Sequence, residues 1–205
     1  MSIALALLIS YLVGSIPTAY LLIQRVKGID IRSVGSGNVG ATNALRVAGK
    51  GAGVAVFLLD AAKGVIAVRC LAPWLVHPLT PTVQLACGLM AVVGHTAPIF
   101  LGFKGGKGVA TAIGVLLGVV PLIAGIGLVV WVLCFLLWRY VSVASLVAIV
   151  SVPVMQWLMH RQLSEIGLGV LLALLIVVRH QANIARLRQG TEHQFKRPMI
   201  VSPPS

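Results

Sequence analysis

The chain has 205 residues, 59% of them hydrophobic and only 10% charged, with a mean hydropathy of +1.02. No water-soluble domain of this size needs so much apolar surface, so the composition excludes a cytosolic globular protein and indicates an integral membrane protein. Lys and Arg number 16 against 4 Asp and Glu, a formal charge of +12; membrane topology takes part of that excess, and anionic headgroups or phosphorylated substrates suit the rest.

Apolar runs predict seven membrane-spanning helices, at residues 3–24, 52–72, 82–101, 108–121, 122–138, 142–159 and 166–179. The first run has no cation before it and no clear cleavage site after it, so it reads as a span and not as a removable signal peptide. Residues 25–50 follow, a Gly-rich basic segment with Ser36, Asn38, Thr42 and Asn43 at its centre. Flexible backbone amides, small polar side chains and flanking cations are what a phosphate-cradling loop requires. Gly35, Gly37 and Gly40 also match the dinucleotide spacing G-x-G-x-x-G, with Asp60 beyond. No strand precedes that match and Asp60 falls inside an apolar run, so an anion nest is the better reading.

Residues 108–138 read as one apolar block. A single helix of that length would measure about 46 Å against a hydrocarbon core of about 30 Å. Pro121, flanked by Gly118, Gly125 and Gly127, predicts a turn that makes two short spans. The cations agree. With seven spans, thirteen Lys/Arg share one side and Arg161 stands alone on the other, whereas a single span at 108–138 leaves eight against six. The positive-inside rule therefore predicts an N-terminus outside and a C-terminus in the cytoplasm. Residues 1–197 form one transmembrane domain on this reading, and 198–205 a disordered tail. Cys70, Cys87 and Cys134 stand apart in apolar stretches and read as small buried hydrophobes.

Two further polar clusters accompany the first. Residues 94–111 end in Gly105-Gly106-Lys107-Gly108 at the head of a span, where free N–H groups, a helix dipole and a lysine suit a phosphate. The run departs from a Walker A loop, because Gly108 stands where a Ser/Thr would hold magnesium and no cytoplasmic carboxylate pair is available. His95 lies inside the third span, where a structural hydrogen bond competes with a catalytic role. In residues 179–192, His180, Asn183 and Arg186 fall on one helix face; a juxtamembrane helix lying on anionic lipid is the simpler alternative. Asp60 and Lys63, at i and i+3, pair within a span. Ser142 and Ser145 either contact substrate or join helices. No Ser–His–acid set and no metal-ligand cluster can be drawn from the cytoplasmic residues, so neither metal nor cofactor is expected.

Together these motifs resemble the bacterial membrane-integral acyl-phosphate:glycerol-3-phosphate acyltransferases, the PlsY family. The resemblance runs through Gly35–Asn43, Leu59–Gly64, Gly94–Thr111 and His180–Glu192, in order and spacing. It implies an all-α bundle of seven transmembrane helices in the bacterial inner membrane, with the active site facing the cytoplasm. It also implies the first acylation of phospholipid biosynthesis. The 1-hydroxyl of sn-glycerol 3-phosphate attacks the carbonyl of a fatty acyl phosphate, giving lysophosphatidic acid and inorganic phosphate. The expected catalytic residues are Ser36, Lys107, His180 and Asn183. Lys107, the amides of Gly105, Gly106 and Gly108, and the turn through Ser36, Gly37, Asn38 and Gly40 are expected to hold one phosphate. Arg46, Lys104, His180 and Asn183 hold the other, with Thr42, Asn43, Ser142 and Arg186 lining the pocket; the two assignments are interchangeable on sequence grounds. Asp60, Lys63, His95 and Glu192 are expected to support the site from behind. The hydroxyl proton goes either to the donor's own phosphate or to His180. The rival class is a transporter of a phosphorylated metabolite, which requires polar groups at mid-bilayer and access from both sides. A scaffold binding anionic lipid accounts for the charge but not for three separate clusters.

Overall fold

The computed structural model describes residues 2–195; the tail expected at 198–205 lies outside the described residues. Those residues form helices and connecting turns. Ser2 caps α1 (Ile3–Ser15), its hydroxyl accepting from the Leu5 N–H. The first apolar run is two helices and not one: Pro17 has no N–H to continue the ladder, and α2 (Thr18–Lys27) restarts after it. Gly28, at φ +69°, ends α2 by returning its N–H to the Gln24 carbonyl.

The second helix begins well before the apolar run that predicted it. α3 (Ala41–Ile66) takes in the second half of the expected phosphate loop, so Thr42, Asn43 and Arg46 are helical. It kinks at Gly49, whose φ of 83° is open to glycine alone among common residues. Beyond Ile66 the helix widens into a π-helical turn, Ala67–Leu71, and continues as α4 (Ala72–Leu75). The Gln84 side-chain amide donates to the Val68 carbonyl within that turn. α5 (Pro81–Thr96) starts on a Thr80 cap with proline in its first turn.

Pro121 divides the long apolar block as the sequence predicts, with α6 (Val109–Val119) ending before it and α7 (Pro121–Trp138) starting on it. α8 (Val141–Leu158) and α9 (Leu163–Arg179) follow, and α10 (Gln181–Arg188) leaves α9 at a bend of 58°. Among the described residues, four helical stretches are long and apolar enough to cross a membrane, or five if α9 and α10 count as one.

Glycines set how closely the helices approach. A Cβ on Gly14 of α1 would strike the Ala91 carbonyl of α5, and one on Gly94 of α5 would strike the Tyr11 carbonyl of α1. α3 and α6 make the same exchange: Gly64 lies against Thr111, and Gly114 against Ala61. Such contacts let backbones touch where no hydrophobic effect drives helices together. Val68, Val92, Val115, Ile149, Leu172 and Ile176 then join the π-helical turn, α5, α6, α8 and α9 into one core. A second cluster, with Ile23, Ile31, Ala44, Val56 and Leu101, sits under the loop before α3 and holds it against α2.

Candidate active site

A cavity of about 1230 Å³ gathers residues from all three polar clusters. The loop preceding α3 forms its first wall. Asn43, 1% exposed, ties that loop to the helix: its Oδ1 accepts the Ser36 N–H at 2.9 Å, and its Nδ2 donates to the Ile31 and Val34 carbonyls at 3.2 and 3.1 Å. Gly35, at φ +62°, passes so close to Asn43 that a Cβ there would strike its side-chain oxygen. Asn43 was expected among the pocket's polar contacts, but its polar atoms are spent on building the loop. Asn43 still lines the cavity, as do Ser36, Gly37, Asn38, Gly40, Thr42 and Arg46, with the Arg46 guanidinium 5.9 Å from the centre of the Phe195 ring.

The second wall departs from expectation in two respects. The Gly105 and Gly106 amides, expected to hold phosphate, already donate to the Thr96 and His95 carbonyls at 3.2 and 3.1 Å. Lys104 is exposed and does not line the cavity. What remains is Lys107, Gly108 in the left-handed region at φ +85°, and the start of α6. Among the described residues, the N–H groups of Val109, Ala110 and Thr111 have no hydrogen-bond acceptor, which leaves a helix N-terminus at the cavity. Burial pushes the Lys107 ammonium down to about 8; Glu192 opposes the shift, and Arg186, Arg46 and Arg179 add to it.

The bend between α9 and α10 supplies the third wall. His180, 2% exposed, lies 2.8 Å through Nδ1 from the Ile176 carbonyl. A carbonyl only accepts, so Nδ1 carries the proton and Nε2 is the free nitrogen. Burial, followed by the Lys107 charge, pushes His180 down to about 4 and keeps it neutral near pH 7. Asn183 accepts from Lys107 Nζ at 2.5 Å and donates to Glu192 Oε1 at 2.6 Å. Glu192 accepts in addition from Ser142 at 2.8 Å and Arg186 at 2.8 Å. Burial opposes its ionisation, but the bonds from Asn183, Arg186 and Ser142 outweigh that and hold the carboxyl below its usual range.

Asp60 and His95 also line the cavity: Asp60 Oδ1 accepts from Lys63 at 2.7 Å and from the Thr18 hydroxyl at 2.5 Å, and His95 Nδ1 lies 3.5 Å away. The pairing of Asp60 with Lys63 matches the i, i+3 reading. Ser145 receives the Trp131 indole N–H at 3.1 Å, so it joins α7 to α8.

Sequence reasoning missed two features. Arg179, counted only as a topological cation, reaches into the loop before α6 and donates to the Gly105 and Gly106 carbonyls at 3.0 and 3.2 Å; its place beside His180 was the available signal. The segment after Gly190 closes one side of the cavity with Thr191, His193 and Phe195 beside the expected Glu192. The Phe195 N–H donates to the Arg139 carbonyl at 3.0 Å, and Gln194 to the Trp138 carbonyl at 3.1 Å, which pins it to the end of α7. Away from the cations the lining turns apolar, through Val54, Phe57, Ile113, Leu128, Trp131 and Phe135. The cavity can therefore hold a polyanionic head against Lys107, Arg46, Arg186 and the α6 amides, with a hydrocarbon tail beside it.

Fold and site together define an integral membrane helical protein with a cationic, anion-accepting cleft open to an apolar slot. Its relatives agree on a family. A family model described as Glycerol-3-phosphate acyltransferase matches residues 4–190, and the chain belongs to that family. It is 44% identical over 189 residues to the glycerol-3-phosphate acyltransferase of Geotalea daltonii, covering 92% of this chain and 95% of that protein. It is 47% identical over 192 residues to that of Myxococcus xanthus, covering 92% and 97%. Two solved structures of PlsY (YgiH), described as an integral membrane glycerol 3-phosphate acyltransferase, superpose on 96% of each chain. The glycerol 3-phosphate form has a TM-score of 0.88 at 42% identity, and the lysophosphatidic acid form 0.86 at 41%.

Proposed function

We propose that this chain transfers a fatty acyl group from an acyl phosphate to the 1-hydroxyl of sn-glycerol 3-phosphate, giving 1-acyl-sn-glycerol 3-phosphate and inorganic phosphate. The observation that carries the reading is the single cavity in which Lys107, Arg46, Arg186 and the α6 N-terminus face one another beside an apolar slot. The solved forms of PlsY with glycerol 3-phosphate and with lysophosphatidic acid support the acceptor and the product. The cationic lining supports an acyl phosphate as donor, since it presents a second phosphate and arrives already activated.

In the proposed reaction the glycerol oxygen attacks the acyl carbonyl carbon. The carbon–oxygen bond to phosphate breaks, and phosphate leaves with the electron pair. The hydroxyl proton passes to a phosphate oxygen of the donor. His180 is ill suited to take it, since its imidazole is pushed down to about 4 and is a weak base. Its part, with Asn183, is to position polar atoms, while Lys107 and the amides at the start of α6 neutralise developing charge. Ser36 and Asn38 hold the rim of the phosphate site, and the acyl chain lies in the slot between Phe57, Leu128 and Trp131.

The same reading has seven spans in the bacterial inner membrane, an N-terminus outside and the active site facing the cytoplasm. Thirteen Lys/Arg on one side against Arg161 on the other support that orientation. The test is the full chain purified in detergent and supplied with acyl phosphate and glycerol 3-phosphate. Phosphate release that depends on glycerol 3-phosphate is the expected result. No such release, with flux of glycerol 3-phosphate into proteoliposomes instead, would overturn the enzyme reading in favour of a transporter.

A further inference from the structure

We propose that His95, oriented by Asp60, is a positioning residue for acyl transfer: from the cavity wall it packs against the Gly105–Gly106 turn and so sets where Lys107 and the first amides of α6 meet the substrate phosphate. The inference rests on reading the cavity as an acyl-transfer site.

The contacts form a continuous chain. At its far end, Lys63 Nζ donates to the Ile16 carbonyl at 2.5 Å and to Asp60 Oδ1 at 2.7 Å, joining α3 to the break between α1 and α2. The Thr18 hydroxyl holds the same Asp60 oxygen. His95, 8% exposed, turns Nδ1 toward that oxygen at 3.5 Å. The opposite edge of its ring lies on Gly106, where an added Cβ would collide with Nε2. The His95 backbone carbonyl takes the Gly106 N–H, and the Thr96 carbonyl takes the Gly105 N–H. From the other side, Arg179 grips both glycine carbonyls. One residue further on, Lys107 meets Asn183 and α6 begins.

Two consecutive glycines would otherwise be the most mobile part of the cavity wall, because glycine has the most backbone freedom to lose. A wall that must be ordered at each turnover weakens both binding and transition-state contacts. Here the turn is held between an imidazole and a guanidinium before any substrate arrives. The arrangement also accounts for a buried ion pair in a membrane helix, where charge is costly and is kept for function. Asp60 and Lys63, 1% and 4% exposed, fix the imidazole that supports the turn.

The test is a double-mutant cycle on the purified full chain, measuring kcat and KM for both substrates by phosphate release, with thermal midpoints recorded alongside. His95→Ala should lower kcat/KM for glycerol 3-phosphate by about ten- to a hundredfold in a wild-type background. In a Lys107→Ala background, assayed at higher enzyme concentration, the same substitution should cost less than about threefold, since His95 acts through Lys107. His95→Asn keeps an amide near the Nδ1 position and His95→Gln keeps one near Nε2, so each restores one of the two contacts and neither restores full activity. If His95→Ala does not yield folded protein, His95→Gln takes its place in the cycle. Asp60→Asn should reproduce the loss and add little to it. Wild-type activity in His95→Ala, or an equal factor in both Lys107 backgrounds, overturns the proposal. Absence of glycerol-3-phosphate-dependent release in the wild type overturns the underlying reading, and this inference with it.

Discussion

Lys107→Arg should remove the alkaline limb of the pH profile. The wild-type ammonium is pushed down to about 8, so it is about nine-tenths charged at pH 7 and about one-tenth charged at pH 9. Phosphate binding needs the cation, so kcat/KM for glycerol 3-phosphate should fall about tenfold per pH unit above 8. A bound phosphate favours the charged form, so the limb in kcat should lie at higher pH than the limb in kcat/KM. The contribution at stake is large: two unit charges about 4 Å apart at an effective dielectric constant of about 20 interact by about 4 kcal/mol, or about three decades, before desolvation is subtracted. Lys107→Ala should accordingly lose about one to two decades in kcat/KM at pH 7. Arginine stays charged throughout the accessible range, so Lys107→Arg should give a profile flat to at least pH 9.5, whatever its absolute rate. The assay is initial-rate phosphate release in detergent between pH 6 and 10, corrected for spontaneous donor hydrolysis. An alkaline limb of unchanged position in Lys107→Arg would refute the reasoning, because the titrating group would then be another residue.

Other predictions follow from contacts already described. Arg46→Ala should raise KM for glycerol 3-phosphate more than KM for the donor; equal rises in both would place Arg46 outside the acceptor subsite. Asn43→Ala leaves the Ser36 N–H and the Ile31 and Val34 carbonyls without their partner and should cost about 2–4 kcal/mol, read as a lower thermal midpoint. Asn43→Asp should not rescue it, since a carboxylate cannot donate to those carbonyls. Gly114→Val should yield little folded protein, because its Cβ would meet the Ala61 carbonyl, a backbone atom with no freedom to move aside. His180 is held near 4, so it stays neutral from about pH 5.5 upward and should contribute no acid limb near its ordinary pKa of about 6.5; loss of an acid limb in His180→Asn, with substrate binding intact, would instead make His180 the base.

The sequence disclosed what is contiguous and concealed what depends on how separate segments meet. The three polar clusters could be read because each is a short run, and Pro121 declared its turn because proline has no N–H to give. Lys104 and Lys107 were indistinguishable, because an irregular glycine loop has no period from which to assign a face; only the contacts of Gly105 and Gly106 with the end of α5 turn one outward and the other in. Asn43 read as a ligand contact for a related reason. Its role is fixed by where α3 begins, and Gly40 in extended backbone sets that start eleven residues ahead of the apolar run. Glu192 meets Asn183 across nine positions and the left-handed Gly190, a contact no periodicity encodes.

These corrections all move the site in one direction. With the Gly105 and Gly106 amides and the Asn43 side chain committed to the protein's own backbone, fewer neutral donors face the cavity than the motifs suggest. The load falls on Lys107, Arg46, Arg186 and the first amides of α6, and the spent glycines become the rigid mounting of Lys107. A site that binds through mounted cations is sensitive to the charge state of one lysine and to the stiffness of the turn before it. The pH profile and the His95 cycle probe those two properties separately.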